Sequence, residues 1–243
     1  MLRQFLNKIY RSPIASPAKT SSEDVLANTI KHSIIHNNLD RTRIAAFTSI
    51  PKCASKRVLA MLQLGPNRDS DTTRSLIIYE NHQRAAILYN KCNLNDLFVF
   101  CVARNPYDRT VSWYQYHKNI PPYKSMSFRE CILADMPHHV EAQNQTDYRS
   151  KAISPLLQWN YIEDYRINFI AKAERFEQDM RLAIRRLNDL CIAREIKYSF
   201  SFSKLMENRS NRKANWQDYY EHETKAIVAT SLAKDFEYFK YAK

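Results

Sequence analysis

The chain has 243 residues, of which 44% are apolar and 26% are charged, and its formal net charge is +12. This length and composition suit one soluble domain with a full core, and they exclude a chain too polar to fold. No apolar stretch approaches the ~18 residues that a membrane span requires. The strongly basic balance predicts an anionic partner, which leaves nucleotides, nucleic acids, membrane surfaces and acidic polymers as candidates.

The N-terminal part, residues 1–22, has a short amphipathic start followed by a segment rich in Ser, Pro and Ala. It lacks the apolar region of a secretory signal, so it predicts a flexible arm ahead of a single domain over 23–243. The cysteines are scattered, without a C-x-x-C pair or a zinc pattern, and this predicts free thiols, a reducing compartment and no metal. They are Cys53, Cys92, Cys101, Cys131 and Cys191.

Short apolar runs rich in β-favouring residues alternate with helical patterns along the chain. The runs, which predict strands buried on both faces, are 43–50, 75–80, 97–103 and 167–173. The helical patterns are 23–37, 55–64, 83–91, 106–118, 126–134, 177–190 and 221–233. This alternation predicts an α/β fold of three layers, with a central, mostly parallel sheet flanked by helices. The polar, proline-bearing region 119–150 is typical of an insertion that shapes a substrate pocket.

The first loop of interest follows the first predicted strand and reads "IPKCASKR", residues 50–57. Its lysine, Lys52, comes before the small residues Cys53, Ala54 and Ser55, and a helical pattern then begins. Unpaired N–H groups at a helix start, together with a lysine, bind anions. The chain has only one glycine, and Ala and Ser can replace glycine in this loop if the turn keeps negative φ angles, so the composition argues against a Walker loop but not against an anion site. The motifs G-x-x-x-x-G-K-[ST] and G-x-G-x-x-G are both absent.

The second loop follows the third predicted strand and reads "ARNPYDRTVSWY", residues 103–114. Arg104 ends the strand, Asn105 is placed as a helix N-cap, and Pro106 suits the first helical position. Ser112 lies two turns along the helix, so its hydroxyl and the planar fork of Arg104 can converge on one phosphate. Alternatively, Arg104 forms a salt bridge with Asp108, and Ser112 has no role beyond the helix.

The pair of loops resembles the two co-substrate loops of sulfotransferases, in particular the carbohydrate sulfotransferase branch. In that family the first loop holds the 5′-phosphosulfate of 3′-phosphoadenosine-5′-phosphosulfate (PAPS). The second loop holds its 3′-phosphate through an arginine and a serine eight residues later, the spacing of Arg104 and Ser112. The resemblance continues in "INFIAKAERFEQDM" at 167–180, through Glu174 and Asp179, and in the tyrosine-rich ending at 208–241. It implies a P-loop-like fold.

The resemblance also implies roles for individual residues. Lys52 would bridge to the leaving group, and Cys53, Ala54, Ser55, Lys56 and Arg57 would hold the 5′-phosphate. Where family members commonly carry two hydroxyl residues, this chain has Lys56 and Arg57. Histidine His82, just after the strand 75–80, would be the base that takes the acceptor's proton, with Glu80 as the alternative.

Further candidates lie outside the two loops. A basic cluster ahead of the last helix includes Arg212, and it would either close over the nucleotide phosphates or contact an acidic acceptor. The remaining histidines of interest are His117 and the pair His138 and His139, which are interpreted as acceptor contacts or plain surface.

The hypothesis is therefore a PAPS-dependent sulfotransferase that needs no metal and acts on a hydroxyl acceptor, a glycan or a small molecule. The alternatives are an inactive relative that keeps the fold, a P-loop-type kinase, and a nucleic-acid-binding protein supported only by charge. The free cysteines favour the cytoplasm. Many carbohydrate sulfotransferases are anchored in the Golgi membrane. The alternative location is therefore the Golgi lumen, if an N-terminal anchor is missing from this chain. The acceptor and the oligomeric state are left open.

Overall fold

The computed structural model describes residues 43–64, 71–80, 96–119, 123–141, 157–162, 166–202 and 215–243. All of them belong to one compact unit, Asp40–Lys243. The predicted arm over 1–22 and the helical patterns 23–37 and 83–91 lie outside the described residues, so these three stay predictions.

A parallel sheet of four strands forms the centre of the described fold. The strands are β1 (Ala45–Thr48), β2 (Ile77–Glu80), β3 (Phe98–Ala103) and β4 (Phe169–Lys172), in the order β2-β1-β3-β4. The four predicted strands and the parallel sheet are thus confirmed. One boundary was wrong, since residues 75 and 76 end a helix and do not begin β2.

The seven helices of the described residues are α1 (Ser55–Met61), α2 (Asp71–Leu76), α3 (Pro106–His117), α4 (Phe128–Glu141), α5 (Phe176–Ala193), α6 (His222–Ser231) and α7 (Ala233–Tyr238). The sequence missed α2, whose six residues are too few for a periodic pattern. The predicted helix 221–233 corresponds to α6, and the sequence also missed α7, which follows after a turn at Leu232.

Both faces of the sheet are covered, as the continuous apolarity of the strands predicts. In β3, Phe98, Phe100 and Val102 pack into a core cluster with α1 and α5. The alternate residues Cys101 and Ala103 face the opposite cluster, which includes Phe239 beyond α7. Because successive side chains of a strand point to opposite faces, this division establishes the three layers.

A third cluster joins α3, α4, α6 and α7 beside the sheet. Tyr107 on α3 is at its centre, stacked on Trp216 at 5.5 Å between ring centroids and packed against Phe236 at 4.8 Å. Tyr220 donates a hydrogen bond to the Tyr107 carbonyl over 2.9 Å. The aromatic residues before α6 therefore pack the C-terminal helices onto α3.

Three helices end in the same hydrogen-bonded motif without a glycine. Gln63, Glu195 and Lys240 follow α1, α5 and α7 with φ angles of 56°, 57° and 57°. After α5, the Glu195 N–H bonds the Ile192 carbonyl and the Ile196 N–H bonds the Cys191 carbonyl. These two hydrogen bonds define the Schellman motif, in which the residue with left-handed backbone is usually glycine. Larger residues occupy it in this glycine-poor chain.

Two predictions from the sequence concern membrane-spanning helices and free cysteines. Within the described residues, no helix has the length and apolar character needed to cross a membrane. Four cysteines are buried free thiols, namely Cys53, Cys101, Cys131 and Cys191. Cys92 lies outside the described residues.

Candidate functional site

The two predicted loops meet because of the strand order. The chain leaves β1 for β2 on one side and then crosses to β3 on the other, so the order reverses between β1 and β3. Open α/β sheets bind ligands at such a switch point, outside the carboxyl ends of the strands. The register pairs Thr48 with Glu80 and with Cys101, so the loops after β1 and β3 leave the sheet at the same edge.

The first loop is tighter than the sequence suggested. The φ angles of Lys52 and Ala54 are 64° and 60°, so the loop does not meet the condition of negative φ angles and is left-handed at two residues that are not glycine. Left-handed backbone at a non-glycine residue costs about 1–2 kcal/mol and persists only where the surroundings enforce it. One enforcing contact is the Ser55 hydroxyl, which donates to the Ile50 carbonyl over 3.0 Å. Loops that bend in this way expose backbone N–H groups on a concave face that suits an anion.

Two arginines of the second loop hold the backbone of the first. Arg104 donates from Nη1 to the Lys52 carbonyl over 3.1 Å. The buried Arg109, on α3, donates from Nε to the Pro51 carbonyl over 2.9 Å. These two bonds span more than fifty residues of sequence, and they fix the first loop against the start of α3.

Arg104 also forms the salt bridge with Asp108 that the sequence left as an alternative. Its Nε lies 2.6 Å from Asp108 Oδ2, and its side chain remains 18% exposed. Asn105 is the N-cap of α3, as predicted, and accepts from the Tyr107 N–H over 2.9 Å. The salt bridge uses Nε and orients the guanidinium, and the bond to the Lys52 carbonyl uses Nη1. Because a guanidinium has five N–H donors, an anion contact through Nη2 is compatible with the salt bridge.

A buried glutamine connects the two loops. Gln158 Oε1 accepts from Cys53 Sγ over 3.0 Å and from the Arg104 N–H over 2.9 Å. Its Nε2 donates to the Arg104 carbonyl over 2.9 Å. The Gln158 N–H in turn donates to Asp235 Oδ2 over 2.8 Å, and the Trp159 N–H donates to Asp235 Oδ1 over 2.9 Å. Gln158 and Asp235 are both fully buried.

A second connection runs from the other side of the loop at β3. The Asn105 N–H donates to Glu174 Oε1 over 2.6 Å, and the Tyr241 hydroxyl donates to Glu174 Oε2 over 2.9 Å. Lys172 donates to the Phe239 carbonyl and lies 3.6 Å from the centroid of the Tyr241 ring. Glu174, one of the residues that carry the resemblance, thus supports the second loop from the short 3-10 turn that follows β4.

The site is strongly cationic, and Lys52 shows the effect. Burial, followed by the nearby charges of Arg104, Lys56 and Arg109, lowers the pKa of Lys52 to about 8. Its Nζ lies 4.2 Å from the centroid of the exposed Tyr116 ring. An amine crowded by like charges gains most from an anion that neutralises them. The arrangement therefore favours a multiply charged anion at Lys52.

The other predicted anion contacts around α1 and α3 have different surroundings. Cys53 is fully buried, burial raises the pKa of its thiol to about 12, and its N–H donates to the Ile50 carbonyl over 3.3 Å. Lys56 is exposed at the start of α1. Arg57 places its guanidinium 4.1 Å from the centroid of the Phe176 ring on α5. Ser112 is buried, 8% exposed, on the second turn of α3.

Of the histidines that the sequence singled out, only His117, interpreted as an acceptor contact or plain surface, has its side chain among the described residues. Its Nδ1 lies 2.9 Å from the Trp113 carbonyl, which can only accept, so Nδ1 carries the proton and Nε2 has the free lone pair. Burial, with a smaller contribution from Lys52, lowers the pKa of His117. The predicted base His82 and the predicted phosphate contact Arg212 lie outside the described residues. Glu80 ends β2 at the site edge, but its side chain is outside them, as are those of His138 and His139.

Three residues that organise the site were missed from the sequence. Arg109 was indistinguishable from a surface cation of α3, and Asp235 from an ordinary helix-start carboxylate. Gln158 had no local signal at all, because every bond that defines it is made to a distant segment. Within the described part of the chain, no cluster of three or more His, Cys, Asp or Glu side chains could hold a metal.

Comparison with known proteins gives one sequence match of wide coverage. The sequence model of the Sulfotransferase family matches residues 38–242. Among solved structures, mouse sulfotransferase SULT7A1 complexed with PAP is similar, with 12% sequence identity and a TM-score of 0.44. That similarity covers 88% of this chain and 96% of the mouse chain. No curated protein matches the sequence.

Proposed function

Because the chain belongs to the sulfotransferase family over residues 38–242, we propose that it transfers a sulfuryl group from PAPS to a hydroxyl acceptor of the carbohydrate class. The observation that carries the proposal is the hydrogen bond from Arg104 to the Lys52 carbonyl at the switch point. It brings a lysine loop and an arginine loop, which would serve opposite ends of one bisphosphate, to the same edge of the sheet.

In this proposal each loop binds one end of the nucleotide. Lys52 and the bent backbone of 53–57 receive the 5′-phosphosulfate, with Lys56 and Arg57 adding charge. Arg104 and Ser112 receive the 3′-phosphate, for which the Asp108 salt bridge pre-orients the guanidinium. Arg212 closes over the phosphates. Preorganised donors of this kind bind the nucleotide without first having to order their side chains.

The transfer itself requires positioning and charge stabilisation. The acceptor oxygen forms a bond to sulfur while the bond from sulfur to the bridging phosphate oxygen breaks, and adenosine 3′,5′-bisphosphate leaves. Negative charge develops on the leaving phosphate, where the Lys52 ammonium would stabilise it. The acceptor's proton passes to a base, for which we propose His82, with Glu80 as the alternative at the end of β2.

Thermal-shift titration tests the ligand class. We expect adenosine 3′,5′-bisphosphate to raise the melting temperature, and ATP with Mg²⁺ or a short DNA duplex to raise it far less. Equal stabilisation by ATP or DNA would overturn the nucleotide assignment and favour the kinase or nucleic-acid alternative. Incubation with labelled PAPS and a panel of glycans then separates an active enzyme from an inactive relative, because only the active enzyme produces a labelled glycan.

A further inference from the structure

The last residues of the described chain contact both loops of the site through two separate relays. We define the C-terminal clasp as residues 235–241, which run from the last helix to the end of its Schellman motif. The first relay passes from Asp235 through Gln158 to Cys53 and Arg104. The second passes from Tyr241 through Glu174 to Asn105.

The first relay is specific in its geometry. The amide of Gln158 uses its oxygen for Cys53 and the Arg104 N–H, and its nitrogen for the Arg104 carbonyl. The Gln158 side chain thus binds the Cys53 thiol of the first loop and the Arg104 backbone of the second. Because one side chain makes both contacts, it fixes the distance between the two loops. Cys53, Gln158 and Asp235 are buried and Arg104 is partly buried, so each lost bond would leave a poorly hydrated polar group without its partner.

The second relay fixes the direction of the second loop. Glu174 accepts from the backbone of Asn105, the N-cap residue that begins α3 and adjoins Arg104. Tyr241 reaches Glu174 because Lys240 turns the chain with a φ of 57° and the Tyr241 N–H bonds the Phe236 carbonyl. The ammonium of Lys172 contacts the Phe239 carbonyl and the Tyr241 ring, which holds the clasp against β4.

We propose that the C-terminal clasp is a positioning element for the nucleotide, and that it acts by fixing the spacing between the two phosphate loops through Gln158 and Glu174. The proposal rests on the proposed function and adds residues that touch no nucleotide themselves. When two loops are held at a fixed spacing, binding of one phosphate presents the second at a high effective concentration. The clasp therefore raises affinity for the bisphosphate and not for a monophosphate.

The test compares ligands that occupy one loop or both. Isothermal titration of the full chain would measure the dissociation constants of adenosine 3′,5′-bisphosphate, adenosine 5′-monophosphate and adenosine 3′-monophosphate. For Gln158→Met we expect the bisphosphate constant to rise about tenfold, with each monophosphate constant changing less than about twofold. For Tyr241→Phe, which removes one hydroxyl, we expect about a threefold rise for the bisphosphate alone. Should Gln158→Met fail to fold, Tyr241→Phe decides the question.

A matched control separates positioning from general loss of stability. Tyr114→Phe, on α3, also removes a tyrosine hydroxyl, which donates to the Met126 carbonyl over 2.9 Å and belongs to neither relay. It should lower the melting temperature and leave the ratio of monophosphate to bisphosphate constants unchanged. If Tyr241→Phe also leaves that ratio unchanged, whether it weakens the binding of all three ligands equally or of none, the proposal is overturned. A wild-type chain that binds the bisphosphate no better than the monophosphates would instead overturn the proposed function.

Discussion

Arg104 combines a charge with a fixed orientation, and the two can be separated by substitution. Its Nε bonds Asp108 and its Nη1 bonds the Lys52 carbonyl, so Arg104→Lys keeps the charge but loses the planar fork. We expect the dissociation constant of adenosine 3′,5′-bisphosphate to rise about 10- to 100-fold, as measured by calorimetry. Arg181→Lys, at an exposed arginine paired with Glu177, is the matched control and should change it less than about twofold. Equal effects of the two substitutions would contradict a directional role for Arg104.

The lowered pKa of Lys52 predicts that nucleotide binding depends on pH. Because the pKa of this lysine is lowered to about 8, the free site loses a positive charge as pH rises through that value. A bound phosphate favours the charged form, so affinity for the bisphosphate should fall above about pH 8, by up to about tenfold per pH unit. Lys52→Arg stays charged and should flatten the profile between about pH 8 and 9.5. A wild-type profile that is already flat there would contradict the shifted pKa.

The proposed base His82 can be distinguished from His117, whose side chain the structure describes, by measuring turnover and binding separately. His82→Ala should lower sulfate transfer at least about 100-fold while the bisphosphate dissociation constant stays within about twofold. His117→Ala is the matched histidine substitution, made on the α3 helix near Lys52. Should His117→Ala lose turnover while His82→Ala retains it, the proton acceptor is His117, whose Nε2 lone pair is available.

At the scale of elements, the residues with left-handed backbone that follow the helices allow a prediction about the free energy of unfolding. Glu195 is exposed at the Schellman position after α5, with a φ of 57° that glycine adopts without steric cost. We expect Glu195→Gly to stabilise the protein by about 0.5–1 kcal/mol, after subtracting the backbone entropy that glycine loses. For a chain of this length the melting temperature should rise by roughly 1–4 °C. Glu195→Ala removes the same carboxylate without relieving the backbone, so a similar rise in that variant would refute the explanation.

The elements were predictable to the extent that their signals are local. The apolar runs identified the four strands of the described residues, and Asn105-Pro106 identified the start of α3. The boundary at residues 75–77 was misread because a short apolar run fits a buried helix end as well as a strand. The bent backbone at Lys52 and Ala54 was missed for another reason: surrounding contacts impose it against the preference of the residues themselves.

For the whole molecule, the position of the site depends on strand order. The sequence identified both loops but no contact between them, whereas their meeting at the β1–β3 edge follows from the topology. Gln158 and Asp235 complete the site from segments 54 and 131 residues beyond Arg104, as their numbering shows. Such residues are recognised only when the fold has brought them together, because a single buried amide or carboxylate has no distinctive neighbours in sequence.

The net charge of +12 predicts that two kinds of anion will respond differently to salt. Duplex DNA bound to a basic surface releases counterions, so its affinity should fall about 100-fold or more between 50 and 200 mM salt. The bisphosphate would bind Lys52 and Arg104, which are partly buried and less screened, and it should lose less than about tenfold. Fluorescence anisotropy with labelled DNA, and calorimetry with the bisphosphate, would measure the two slopes on the same preparation. DNA binding that persists at 200 mM salt would identify nucleic acid as a specific partner, since the surface charge of this chain alone would no longer account for it.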